Sequence, residues 1–410
     1  MSEILVAGAG MVGVSTALAL QAQGHHVTLL DSTLQCRETS YGNAGIIQAE
    51  AAEPYALPRD LPTLCKYALG LSNDVLWHPQ ALLQMAPALW RYFRASSTVR
   101  HRDTSSLYSQ LTGRATQDHT PLITAANAEA LISKSGLSIL YRDAQPFDQA
   151  TQQVERMYSS YGVTSQVLDG AAYRAQEPAL KITPAGVIHW NQSWSCSNPG
   201  ALTDAYSQLF IQRGGCRQQG DANSLSQTAT GWRISSQDGS IEASQVVIAL
   251  GPWSPTLLAR FGYRIPMIYK RGYHAHFNAP IVPKRPFLDA ANGVVVAAMQ
   301  QGLRVTSGAA LVKLQSPAAA VQLKRGVQAL GDLIELGQPL QEPQWFGTRP
   351  CMPDMLPLVG AAPRHKGLWF NFGHGHQGFT LGPTTAALLA DAISGQTSDL
   401  IHRLAPARRL

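Results

Sequence analysis

The first thirty-one residues constrain this chain more than any other stretch. Glu3-Ile-Leu-Val-Ala7 is a short apolar run without a turn residue. Gly8-Ala-Gly10-Met-Val-Gly13 follows directly, Val14 to Gln23 continues at helical spacing, and Gly24 stands where a helix stops. His26-Val-Thr-Leu-Leu30 is a second strand-like run, closed by Asp31. The pattern predicts a βαβ unit. Gly8 permits the tight turn. Gly10 leaves no side chain in the way of a pyrophosphate, which then sits on the helix N-terminus beside Met11 and Val12. Gly13 lets the helix lie close to the strand, helped by the small Ala17. Asp31 lies about 20 residues on, with Ser32 beside it, where a carboxylate accepts from a ribose hydroxyl. The apolar stretch 4–22 also has the hydropathy of a membrane span or signal peptide. It has no basic leader, glycines interrupt it, and it feeds a strand, so the βαβ reading is preferred.

The chain has 410 residues, enough for two domains or one large two-part fold. Hydrophobic residues make up 45% and charged residues 14%, with 35 glycines, which favours a well-buried, loop-rich globular protein. The net charge of +6 owes something to His402-Arg403 and Arg408-Arg409 near the C-terminus. No basic run is interleaved with aromatics, so nucleic acid is not an expected partner. Mild attraction to anionic lipid or an anionic substrate is all the charge supports. Cys36, Cys65, Cys196, Cys216 and Cys351 are widely spread and no CxxC occurs. There is neither a zinc pattern nor a disulfide framework, so no metal is expected and a reducing, cytoplasmic compartment fits best.

Thr39-Ser40-Tyr-Gly-Asn43-Ala44-Gly45 is a cluster of small and turn-prone residues soon after the second strand. From Trp77 to Arg94, Leu82, Leu83, Met85, Leu89, Trp90 and Phe93 fall near helical spacing and read as a core-facing stripe. Ser106 to Ser133 predicts one or two helices, and 136–190 turns strand-like and mixed. Ile241 to Leu250 reads as the second strand of a hairpin around Asp238-Gly239. Its fully apolar end, Val246 to Leu250, runs into Gly251-Pro-Trp253-Ser254 as a central parallel strand does, so the nucleotide-binding part resumes there after an insertion. Tyr269 to Phe277 alternates, with Tyr269, Arg271, Tyr273 and Phe277 on one face and Gly272, His274 and His276 on the other. Pro317 to Ile334 reads as a helix and Trp345 to Asp354 as a Pro-punctuated loop.

Gly367 to Phe372 predicts a last strand and Gly382 to Ser394 a last helix. Between them lies Gly373-His-Gly-His-Gln-Gly378, formally a second GxGxxG. With no strand and no acid to complete the unit, it reads as a loop that brings backbone close to a ligand, with a helix N-terminus behind it.

Several of these segments occur together, and in this order, in one family. They are the opening fingerprint, Glu38 to Gly45, Ala249 to Ser254, Gly347-Thr-Arg-Pro350 with Pro353-Asp354 and Leu356 to Gly360, and Gly373 to Thr380. The chain resembles the FAD-dependent D-amino acid oxidase superfamily over nearly its whole length, and within it the D-amino acid and D-hydroxyproline dehydrogenases. The resemblance implies FAD and an α/β (α+β) fold, a Rossmann-type FAD-binding domain with a second, mixed-sheet substrate domain. The expected division is discontinuous: 1–80, 190–260 and 345–410 bind FAD, while 81–189 and 261–344 form the substrate part. It implies that Thr39, Ser40, Asn43, Ala44 and Gly45 wrap the isoalloxazine. Leu250, Gly251 and Trp253 lie near the adenosine half. Gly375, His376, Gln377, Gly378, Phe379 and Thr380 reach the flavin edge. Cys351 departs from the small residue many relatives carry, and its spacing to Pro353-Asp354 does not match segments that attach flavin covalently.

The implied activity is oxidation of a Cα–N bond in a D-amino or cyclic D-imino acid, such as D-proline or hydroxy-D-proline, to an imine that water hydrolyses. Arg349 is then the carboxylate clamp, Tyr273 a lid or second donor, and His376, with His374, a candidate for the amine proton. The competing role for Arg349 is an ion pair with an acid such as Asp354. The expected electron acceptor is a quinone or electron-transfer protein, which suits a location at the inner face of a membrane and assembly into an oligomer or complex. The alternatives are an oxygen-using oxidase of the glycine or sarcosine oxidase kind, a flavin-carrying subunit of a larger complex, and an NAD enzyme, for which the late glycine loop has no evident use.

Overall fold

The computed structural model describes residues 2–35 and 37–410, so Cys36 lies outside the described residues. Strand Glu3–Ala7, helix Met11–Ala22 and strand His26–Asp31 form in the expected order. The two strands pair in parallel, Ile4 against Val27 through Ala7 against Leu30. Strand Gln245–Ile248 lies on the other side of the first strand, with Val6 opposite Val247. Cys216–Gln227 and Leu368–Phe372 extend the sheet outward on the two sides. Numbered along the chain, the five parallel strands lie in the order 3-2-1-4-5, the doubly wound arrangement that leaves a crevice at the carboxyl ends of the strands. The run expected to be one hairpin strand from Ile241 to Leu250 is divided. Gly239–Ala243 closes an antiparallel hairpin with Trp232–Ser236 at the sheet edge, and after Ser244 the chain re-enters at the centre. The burial explains the break: the hairpin strand is largely exposed, whereas Val246, Val247 and Ile248 are buried on both faces.

The second sheet has eleven strands, with the long strand Ile268–Asn278 at its heart. Three stretches sit differently from the division drawn above. Trp345–Cys351 is a strand rather than a loop, paired antiparallel with the long strand from Ile268 opposite Cys351 to His274 opposite Trp345. Pro350 is tolerated because it lies on an edge strand of this sheet. Val75–Trp77 also joins the second sheet, beside Ala309–Leu311. Helices Thr98–Thr112 and Ala115–Ala125 do the reverse: Leu107, Leu111, Ala115 and Ile123 share a core with Ile4 and Met11 of the first sheet. A small third sheet of Ile46–Ile47, Trp194–Cys196 and Ile132–Ser133 runs along the seam.

Two helices shift from their expected form. Val321–Leu330 is shorter than the Pro317–Ile334 pattern. Helix Pro79–Ala95 buries Ala81, Met85, Ala88 and Tyr92, while Leu83 and Trp90 are 78% and 61% exposed. The small alanines let this helix pack closely, which turns part of the larger stripe outward. Among the described residues no helix is long and apolar enough to cross a membrane.

Candidate active site

One cavity of about 1050 Å³ lies between the two sheets. Its first wall is made by the ends of the parallel strands. Gly8 has φ +107°, and a Cβ there would lie 2.6 Å from the Ala249 carbonyl oxygen. A Cβ on Gly13 would lie 1.7 Å from the Gly8 carbonyl oxygen, so helix and strand touch through bare backbone. Gly10, Met11 and Val12 line the cavity. The Met11 amide donates to Ser40 Oγ at 3.1 Å, which ties the fingerprint to the Thr39–Gly45 loop. Asp31 Oδ2 accepts from the Ala9 amide at 2.6 Å, and its other oxygen accepts from the Ser32 hydroxyl at 3.3 Å. Both residues line the cavity, as do Leu250, Gly251 and Trp253. A bare-backbone cradle, a helix N-terminus and an oriented carboxylate fit a dinucleotide of the FAD kind. Sequence reasoning missed Asp221 and Asn223 on this wall, which strand Cys216–Gln227 brings in from far along the chain.

The loop from Thr39 to Gly45 is held from the opposite side, by the second sheet. The Thr39 hydroxyl donates to the Thr348 carbonyl at 3.3 Å, and Arg304 donates to the Asn43 carbonyl at 2.5 Å. His274 Nδ1 contacts the Gly42 carbonyl oxygen at 3.1 Å. Trp345 stacks on His274 with centroids 4.5 Å apart, and it lies so close to Gly42 that a Cβ there would strike its ring. Gly45, at φ +75°, donates to Asn43 Oδ1 at 2.8 Å. Thr39, Ser40, Asn43 and Ala44 line the cavity, whereas Gly45 packs against the Cys196 carbonyl. His274, His276 and Glu342 come together behind this loop. His276 links Glu342 to Arg304: its Nδ1 meets Glu342 at 2.7 Å and its Nε2 accepts from Arg304 at 2.9 Å, while the His274 ring packs edge-on against it with centroids 4.9 Å apart. Burial, and then Arg304, lower the His274 pKa to about 3, so it is neutral at ordinary pH.

The second glycine loop meets the substrate sheet. The Gly375 amide donates to the Pro350 carbonyl at 2.9 Å, and a Cβ on Gly375 would lie 3.5 Å from Cys351 Sγ. Gly375, His376, Gly378 and Phe379 line the cavity. Gln377 and Thr380 brace it instead. Gln377 Nε2 donates to Gln48 Oε1 at 2.9 Å, and the Thr380 hydroxyl donates to the Ile46 carbonyl while accepting from the Gln48 amide. The His376 ring lies 4.9 Å from that of Tyr55. Burial first, then Arg349 and Lys270, push its pKa down to about 3. His374 also lines the cavity, but its Nε2 is engaged at 2.9 Å by the Thr385 hydroxyl.

Arg349 lies on the second wall. Its Nη1 donates to the Gly308 carbonyl at 2.8 Å, and its other guanidinium nitrogen lies over Gly272, where a Cβ would come within 2.7 Å. Asp354, the candidate for an ion pair with it, is taken by Arg409. Among the described residues no carboxylate pairs with Arg349. Tyr273 does not reach the cavity. It is buried in the core behind the sheet, where its hydroxyl accepts from the Ala319 amide at 3.0 Å. The cavity face of that strand is the other one, carrying Lys270 and Gly272. Sequence reasoning missed Lys270, although the same period of two that grouped Gly272 with His274 places it on their face.

The sequence profile described as FAD dependent oxidoreductase, DAO, matches residues 3–392. A D-amino acid dehydrogenase of Neisseria gonorrhoeae is 28% identical, with 97% of each chain covered. A D-amino-acid oxidase of Bradyrhizobium diazoefficiens is also 28% identical, covering 97% of this chain and 96% of its own. The crystal structure of glycine oxidase from Geobacillus kaustophilus superposes with a TM-score of 0.74 at 20% identity, over 100% of this chain and 99% of that one. With the fold, the dinucleotide cradle and a match over almost the whole length in agreement, the chain belongs to the DAO family of FAD-dependent oxidoreductases.

Proposed function

We propose that the protein oxidises the Cα–N bond of a D-amino or cyclic D-imino acid, with Arg349 as the clamp for the substrate carboxylate. The observation that carries this is a permanently charged, planar donor fork on the cavity wall that pairs with no acid among the described residues. The names of the relatives support the D configuration. FAD held in this cavity would supply the redox chemistry of a two-electron hydride acceptor; the substrate loses its Cα hydrogen as a hydride and a proton from nitrogen, and water hydrolyses the imine to an oxo acid with release of ammonia, or with ring opening to an amino-oxo acid for a cyclic imino acid. The chain's own residues orient and shield. Arg349 sits on a strand rather than a mobile loop, and Gly308 holds one arm of its fork, so the carboxylate is bound in one pose. His376 is neutral and faces the cavity, where its ring helps to shape the substrate pocket; burial and the nearby cations make it too weak a base to hold the amine proton, which leaves to solvent. Thr39 to Gly45 and Gly373 to Gly378 close around the flavin.

The proposed acceptor is a quinone or electron-transfer protein, in keeping with the dehydrogenase relative. The oxidase relative favours the second reading, transfer to oxygen. Contact with a membrane surface stays part of the proposal. Helix Leu61–Ala68 buries none of its side chains, and Leu61, Leu69 and Leu71 on it and just beyond it are exposed. Nothing in the cavity lining singles out a ring or a hydroxyl, so hydroxy-D-proline is one candidate among the D-amino and imino acids.

The test is Arg349→Leu in FAD-loaded protein, assayed aerobically and with an artificial acceptor. Flavin content should be unchanged, while kcat/KM for a D-amino acid falls by roughly 2–5 kcal/mol, about thirty- to several-thousand-fold. Substrate amides should be poor with the parent and no worse with the variant. Normal turnover by the folded variant would end the clamp assignment.

A further inference from the structure

We propose that the substrate carries a second anionic group, and that Lys270 binds it while Arg349 holds the α-carboxylate. This rests on the amino-acid reading above and narrows it to acidic D-amino acids such as D-aspartate and D-glutamate, or imino acids with a second carboxylate. The first observation is the register. Lys270 and Arg349 are directly opposite each other in the antiparallel pair. Residues so placed have Cβ atoms about 4.5–5.5 Å apart on one face, and like charges there are destabilising. Both line the cavity, half-buried, with the cavity as their outlet.

The second observation is what neutralises them, which among the described residues is no acid. Lys270 appears in no ion pair, and neither does Arg349. The Lys270 ammonium donates to the Tyr92 hydroxyl at 3.2 Å and lies 4.6 Å from that ring's centroid. Tyr92 in turn donates to the Tyr55 carbonyl. An ammonium has three donors, and the second cation of the pair has a five-donor fork of which one arm is engaged. Asp74, which also lines the cavity, is hydrogen-bonded to Ser72. Cys351 lies two residues beyond Arg349 and lines the cavity too, but burial raises its thiol pKa, so it contributes no negative charge.

A neutral amino acid needs one cation for its carboxylate. A second, set against the first in a partly desolvated cavity, costs stability through both repulsion and desolvation. A substrate with two anionic groups offsets both costs, since each charge then meets an opposite one within hydrogen-bond reach. The Tyr92 hydroxyl and ring hold the ammonium in place for this, as Gly308 and Gly272 hold the guanidinium.

The experiment uses FAD-loaded protein and two kinds of readout. In the first, anaerobic flavin reduction and kcat/KM with an artificial acceptor are measured for D-aspartate and D-glutamate against D-asparagine, D-glutamine and D-proline. The acids should be favoured at least tenfold over their amides. Lys270→Met should lower kcat/KM for the acids by roughly ten- to several-hundred-fold, as for loss of a charge-paired contact, and change the amides and D-proline less than about threefold. In the second, malonate and succinate should raise the Tm and perturb the flavin absorbance of the parent more than acetate and propionate do, and that difference should vanish in Lys270→Met. If amides or D-proline are turned over as well as the acids by the parent, the inference fails while the amino-acid reading stands. If no amino or imino acid of either kind reduces bound FAD, both fail.

Discussion

The two walls of the cavity recognise their ligands by different means. The first is mostly backbone. Gly8, Gly10 and Gly13 expose main chain, and the single carboxylate of Asp31 is oriented by the Ala9 amide only twenty-two positions away. The second is mostly side chain. Arg349 and Lys270 come from strands seventy-nine positions apart and meet only because Ile268–Asn278 pairs with Trp345–Cys351 in one register. A backbone site demands missing side chains at fixed spacing, and substitution there fails sterically. A side-chain site demands register, and a slip of one residue would turn Arg349 to the other face.

The comparison can be broken first at the backbone wall. Gly10→Val puts methyl groups into the cavity beside Ser40, where the nearest atom to a Cβ is already 3.3 Å away. The variant should fold and hold no FAD, read as the ratio of flavin absorbance to protein. Undiminished flavin content would show that the dinucleotide does not lie on Gly10.

Acid should act through the second wall and the loop that meets it. His274 and His374 are buried, and burial pushes the pKa of each down to about 3. The unfolded chain takes up protons on these rings below about pH 6.5 while the folded chain does not. Their contribution is therefore present above pH 6.5 and is lost as pH falls from there towards 3. By pH 5 the loss is about 2 kcal/mol for each ring. Urea unfolding at pH 7 and pH 5 measures it together with the similar losses of His119, His189 and His376, whose pKa values burial also lowers, and His374→Gln should remove about 2 kcal/mol of the difference. An equal pH dependence in that variant would refute the assignment.

The support of Arg349 gives a smaller effect. A Cβ at Gly272 would lie within 3.0 Å of three guanidinium atoms, so Gly272→Ala must move the fork. Flavin content should hold while kcat/KM falls by roughly ten- to a hundredfold, the cost of misplacing a substrate by about 1 Å. Unchanged kinetics would mean that the fork binds nothing. The smallest effect is expected at Tyr273. Tyr273→Phe removes one hydrogen bond to the Ala319 amide and should cost about 1 kcal/mol of stability, with kcat/KM within about twofold. A large kinetic loss there would bring Tyr273 back as a substrate residue and erase the distinction between the two faces of its strand.

The legible parts of this protein share a physical character. The βαβ opening, the strand before Gly251 and the late glycine loop were readable because steric exclusion and hydrophobic periodicity act over a few neighbouring residues. A Cβ at Gly13 collides whatever the rest of the chain does. Arg349 could be singled out as a lone Arg in a motif, but its freedom from Asp354 could not, since that depended on Arg409 arriving from the C-terminus. Trp345–Cys351 read as a loop because two prolines are local breakers, and only an edge position in a sheet makes one of them harmless. Tyr273 and Lys270 were exchanged in importance for a similar reason. Alternation separates the two faces of a strand but does not say which of them meets the cavity. That choice belongs to tertiary packing: helix Val321–Leu330 and the residues around it bury the Tyr273 face, so Lys270, Gly272 and Arg349 are left facing the cavity. What the chain determined by itself was where backbone must be bare and where it must be apolar. Which charges face each other was decided by strand register, because cross-strand pairing sums weak contacts along whole strands and no short stretch of sequence encodes that sum.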